Sequence, residues 1–115
     1  MTMKTTMKLY VIAATLCASA GLALAGDVKE LWDKNCASCH AKDGSGDTKM
    51  GKKVDVKDYR DPKVQAEMKD DKSLKIVKEG INEKGKERMK PYADKLSDED
   101  IKGLIAHMRT FKKAP

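Results

Sequence analysis

The sequence predicts an all-α chain of about four short helices joined by long loops, and three observations carry that reading. No stretch sustains the two-residue alternation of a half-buried strand, and no internal repeat is visible. Apolar residues recur instead at spacings of three and four, behind residues that cap helices well. Large apolar side chains are also scarce, so a chain this small needs something besides side chains to fill its centre.

Asp27 is placed to cap the first helix, with Glu30 three positions on and Val28, Leu31 and Trp32 along one face. Asp61-Pro62 joins a cap to a first-turn proline and opens a short second helix, where Val64 and Met68 stand one turn apart. Asp70 or Asp71 starts a third, with Leu74, Val77 and Ile81 inward and Gly80 as its stop. The last helix is the clearest. Ser97 and Asp100 form a capping-box pair ahead of Ile101, Leu104, Ile105 and Met108, which fall in one stripe. Between the helices run two irregular linkers, residues 42–56 and 82–95, rich in Gly, Lys and Asp. Loops of that length in a small domain are expected to fold around a bound group.

The 115 residues make one domain, and residues 1–25 are expected to be no part of it. Lys4 and Lys8 precede a nearly unbroken apolar run from Leu9 to Leu22, which is short for a membrane span. Ala23-Leu24-Ala25 then offers small residues where a signal peptidase reads them. The expectation is a cleaved secretory leader over 1–25 and a mature domain over 26–115. That domain would be exported to the periplasm, with no membrane insertion after processing. Cys17 would leave with the leader, so Cys36 and Cys39 would be the only thiols of the mature chain. Without Lys4 and Lys8 the formal charge falls from +6 to +4. Lysines alternate with acids and form no basic tail or aromatic-spaced strip, which argues against nucleic acid as a partner. A lysine-rich surface meeting an acidic protein accounts for the balance, as does ordinary solubility.

Cys36-Ala37-Ser38-Cys39-His40 is the C-x-x-C-H signal for haem attachment. Two thiols at this spacing add across the two vinyl groups of one haem, and the adjacent imidazole reaches the iron as its proximal ligand. Rival readings are weaker. A thioredoxin-like dithiol belongs in a βαβ setting that this sequence lacks. Structural zinc needs four ligands, and only Cys36, Cys39, His40 and distant His107 are on offer. A disulfide across so short a loop would organise little.

The sixth ligand is open among four methionines. Met68 and Met108 fit apolar helical stripes and read as core, whereas Met50 lies in the glycine-rich loop after the motif. Met89 is the strongest candidate, in an irregular stretch that Pro91 stiffens. A neutral, soft thioether opposite His40 suits an electron carrier.

From Asp27 to Lys113 the chain resembles the bacterial class I, monohaem cytochromes c. The resemblance rests on the helix with Trp32, on Cys36, Cys39 and His40, on Lys86-Glu87-Arg88-Met89-Lys90-Pro91-Tyr92 as the ligand loop, and on Leu96-Ser97-Asp98-Glu99-Asp100-Ile101 as the entrance to the final helix. It implies a small cytochrome c fold wrapped around one covalent haem c, with iron held by His40 and Met89, and single-electron transfer rather than enzymatic catalysis. Redox proteins would serve as donor and acceptor, and the carrier would act as a monomer. Two departures stand out: Lys90 separates Met89 from the proline, and His107 replaces the aromatic residue that the family's last helix turns toward Trp32. The resemblance also sets Tyr59 and Arg60 where such proteins often meet the haem propionates, the plainer reading being a turn with a solvated arginine. Lys42, Lys52, Lys86, Arg88 and Lys90 could ring the exposed haem edge for docking. Two alternatives remain: a haem subunit fixed within a larger redox enzyme, and a haem protein with an open sixth position.

Overall fold

The computed structural model describes residues 24–113, with side chains from Asp27 onward. The expected leader and Cys17 lie outside the described residues, except that Leu24 and Ala25 already belong to the first helix. The described chain runs α1 (Leu24–Asn35), α2 (Ala37–His40), α3 (Lys49–Val54), α4 (Pro62–Glu67), α5 (Asp70–Glu79), β1 (Ile81–Glu83), β2 (Lys86–Met89) and α6 (Asp98–Met108).

The helix signals behave as expected at most ends. Asp61 caps α4 by accepting from the Lys63 amide, with Pro62 in the first turn. Gly80 closes α5, its amide donating to the Ile76 carbonyl. Ser97 and Asp100 form both halves of a capping box on α6, each bond 3.1 Å. Caps of this kind contribute about 1 kcal/mol. Asp27, by contrast, lies inside α1 and does not cap it.

Two linkers hold more structure than expected. Within 42–56, Thr48 caps the short α3 by accepting from the Gly51 amide. Within 82–95 the chain forms an antiparallel hairpin, β1 against β2, with a register irregularity between Ile81 and Asn82. Its tip is Lys84-Gly85, both at positive φ (51° and 79°), as a tight primed turn requires. The expected inward Ile81 therefore pairs with Met89 across this hairpin and does not extend α5.

The core is the crossing of the first and last helices. Trp32 of α1 and Ile101, Leu104, Ile105 and Met108 of α6 are buried with Leu96, and Leu74 and Val77 of α5 pack against them. Arg109, just past α6, fastens this core to α4 and α5, donating to the carbonyls of Gln65 (2.6 Å) and Met68 (2.7 Å) and to Asp70 Oδ1 (2.7 Å).

His107 takes the aromatic position on α6. Its ring lies 5.7 Å from Trp32 and 5.0 Å, edge-on, from Phe111. Burial holds its pKa below the ordinary 6.5, outweighing the pull of Asp33 in the other direction, while Lys29 acts in the same sense as burial. A lowered histidine pKa means the unfolded chain binds the proton more readily than the native one. Its contribution to stability is thus full above about pH 6.5 and is lost as pH falls through that value. A His107→Phe variant should therefore gain on the wild type when unfolding is compared at about pH 5 and about pH 8. A difference that stays constant between the two pH values would show that His107 does not titrate differently on folding.

Candidate haem site

The attachment motif folds as a single tight turn on the end of α1. The Cys36 amide donates to the Trp32 carbonyl at 2.8 Å, and the Cys36 carbonyl accepts from Cys39 N at 3.2 Å and His40 N at 2.9 Å. The carbonyls of Cys39, His40 and Ala41 are each held by a donor from outside the turn. Thr48 Oγ1 donates to Cys39 O (2.8 Å), Gly46 N to His40 O (2.9 Å), and Trp32 Nε1 to Ala41 O (2.9 Å). Gly51 presses against the same turn so closely that a Cβ there would collide with the carbonyls of Cys39 and Gly46. The turn is thus a fixed platform for its side chains.

Both cysteines are half-buried on that platform, and they form no disulfide with each other. Burial and the neighbouring Cys39 push the Cys36 thiol up to about 12. Burial also lowers the pKa of His40, which favours the neutral imidazole that a metal ligand must be. Its ring lies 5.7 Å from Trp32 and stacks on Tyr59 at 5.4 Å and 29°. His40 Nδ1 is buried with no hydrogen-bond partner among the described residues.

The chain just after Met89 is tied to the same turn. Gly80, at φ +74°, backs directly onto the Met89 carbonyl and the Lys90–Pro91 peptide, leaving no space for a side chain. Beyond it, Tyr92 donates its amide to Val77 O (2.9 Å) and its hydroxyl to the carbonyl of Asn35 (2.8 Å), the residue before Cys36. Burial raises the Tyr92 pKa, and the nearby thiols of Cys36 and Cys39 raise it further. Met89 itself is half-buried at the end of β2, whereas Met50 is exposed on α3 and Met108 is core.

Other expected residues have different surroundings. Arg60 forks onto Asp58 (3.0 and 3.1 Å) and also reaches Asp43 at 3.5 Å, and it holds the Asp58 carboxyl below its usual range. Lys42, Lys52, Lys86, Arg88 and Lys90 are all exposed, with Lys52 paired to Asp47 and Arg88 to Glu83. Among the described residues no three His, Cys, Asp or Glu side chains converge to hold a metal ion, so the zinc set with His107 is not assembled. Sequence reasoning missed Thr48 and Gly51 as supports of the turn, although threonine is a common helix cap. It also missed Gln65 and Arg109, which join α4 to the end of α6 across more than forty positions and so leave no local mark.

Two thiols and a neutral imidazole on one rigid turn fit a covalently bound haem, within a helical shell whose own core is small. This arrangement defines a c-type haem domain. A family described as "Cytochrome C oxidase, cbb3-type, subunit III" matches residues 23–108. Cytochrome c-553 of Helicobacter pylori is 36% identical over 109 residues, covering 92% of this chain and all of that protein. Cytochrome c-554(547) of Halothiobacillus neapolitanus is 32% identical over 93 residues, covering 81% of this chain and all of that protein. Among solved structures, the KustC0563 c-type cytochrome superposes with a TM-score of 0.64 at 29% identity, covering 74% of this chain and 96% of its own.

The chain belongs to this cytochrome c family and is a bacterial monohaem cytochrome c. It is a haem-based electron carrier, of a kind that meets redox partner proteins. Among the described residues no helix is long and apolar enough to cross a membrane.

Proposed function

We propose that the mature chain is a periplasmic single-electron carrier with one haem c, joined by thioethers to Cys36 and Cys39 and ligated by His40 and Met89. The observation that carries this reading is the Tyr92–Asn35 hydrogen bond, which ties the segment behind Met89 to the backbone just before Cys36. The leader-like residues 1–25 support the periplasmic assignment.

When bound, the haem supplies a reversible one-electron iron couple. The chain's own residues keep that couple reversible. Thr48, Gly46 and Trp32 fix the backbone that carries His40, so the point from which the imidazole projects is held. Gly80 and Tyr92 fix the loop that carries Met89. With both axial groups supplied by protein, no position is left for a substrate, and the chain acts as a carrier and not an enzyme. Exposed Lys42, Lys86 and Lys90 offer positive charge to an acidic partner's docking face.

The test is the ferric spectrum of the haem-loaded mature protein and of Met89→Ala. The wild type should show the weak near-infrared sulfur-to-iron band. The variant should lose it, with a reduction potential lower by roughly 0.2 V, within the ~0.8 V span that axial ligands command. Absence of the band from the wild type would remove Met89 as ligand and bring the open-site reading forward. The oxidase-subunit description of the matching family favours a second reading, a haem subunit held in a larger complex. Purification of the native protein alone, without companion chains, would exclude it.

A further inference from the structure

We infer that Gln65 is a positioning residue for the proximal ligand: it holds Tyr59 against the His40 ring and so sets the orientation of that imidazole. The inference rests on the reading of His40 as the iron ligand. Gln65 lies on α4, outside the motif and its loops, yet its Nε2 donates to two carbonyls at once, Tyr59 O at 2.7 Å and Met108 O at 2.8 Å. Its own Oε1 accepts from Arg109 Nη1 at 3.3 Å. The amide group therefore sits at the junction of the end of α6, the first turn of α4 and the peptide of Tyr59.

Tyr59 packs against the edge of the core, and few polar bonds fix its backbone. Its amide donates to Gly44 O at 2.8 Å, and its ring lies on His40. With the Tyr59 backbone pinned by Gln65 on one side and Gly44 on the other, the ring makes one wall of the slot that holds the imidazole, and Trp32 makes a second. The motif's own bonds fix the His40 backbone but not the rotation of its ring, and Nδ1 has no partner among the described residues to fix it. Among the described residues these aromatic walls confine it. Imidazole orientation governs how the ligand's orbitals meet the iron, as does any group that orients a first ligand from outside.

Arg109 provides the contrast that separates positioning from general support. It ties the same α4–α6 junction through Gln65 O, Met68 O and Asp70 and meets the Gln65 side chain only at Oε1 (3.3 Å), so it takes no part in the two bonds that Gln65 Nε2 donates and makes none to Tyr59. The experiment compares haem-loaded wild type, Gln65→Ala, Gln65→Glu and Arg109→Ala. Ferric haem-methyl NMR shifts report ligand orientation, the near-infrared methionine band reports Met89, and chemical denaturation reports stability. Gln65→Glu keeps the side-chain volume and an acceptor for Arg109 while losing the donated bonds, so it serves if Gln65→Ala loads haem poorly. The expected result is a changed spread of the haem-methyl shifts and an altered potential in both Gln65 variants with the methionine band retained. Arg109→Ala should lose stability with the wild-type shift pattern intact. Wild-type shifts in the Gln65 variants, or the same change in Arg109→Ala, would overturn the inference. A wild type without a low-spin, histidine-ligated spectrum would instead overturn the reading of the site itself.

Discussion

Replacing both Cys36 and Cys39 by alanine should abolish covalent haem and leave a chain that does not hold its fold. The buried apolar core of the described residues is six side chains, Trp32, Leu96, Ile101, Leu104, Ile105 and Met108. A small domain with so sparse a core draws on a further staple or bound group for its stability. Acidified organic solvent should strip all pigment from the double variant and none from the wild type, and far-ultraviolet circular dichroism should show the loss of helix. Pigment that stays with the double variant would mean attachment at other residues. Each single variant should keep one thioether and part of the fold.

Trp32→Ala should be the most costly single substitution for stability. The indole is 1% exposed and touches the rings of His40, His107 and Phe111. Removing so large a buried aromatic costs about 3–5 kcal/mol through lost burial and the cavity left behind. Marginal proteins have about 5–15 kcal/mol in all. The Ala41 carbonyl also loses its donor, Trp32 Nε1. Trp32→Phe keeps most of the apolar contact and loses that hydrogen bond, a cost of about 1–3 kcal/mol. Denaturant titration of the haem-loaded proteins should rank wild type above Trp32→Phe above Trp32→Ala. A cost below about 1 kcal/mol for the alanine variant would contradict the place given to Trp32 in the core.

What was legible in the sequence follows the range of the interactions. The Asp61-Pro62 start and the Ser97/Asp100 box are local, and the helix each predicted is present; the attachment motif is local too and folds as one short turn. His107 as a flat partner for Trp32 was also foreseen, from the position it takes in the resembling family. The hairpin was not, because strands of three and four mostly charged residues are too short to show alternation. Its turn also places Lys84 where Asn or Asp is the usual signal. The clamp on the attachment turn and the Gln65–Arg109 junction were invisible for a different reason. Thr48 meets Cys39, and Gln65 meets Met108, only once the chain has folded back.

The pairing of α1 with α6 has a consequence for the order in which the molecule can assemble. Trp32 and Leu104 are 72 positions apart, and the core they share has no substitute nearer in sequence. Contacts so distant must await closure of a long loop, which slows folding and makes it late. A chain emerging from its N-terminus therefore exposes the Cys36–His40 stretch long before the last helix arrives to close over it. Until then the two thiols are open to any catalyst that must reach them. The final ten or so residues of the described chain act as the clasp that ends this interval.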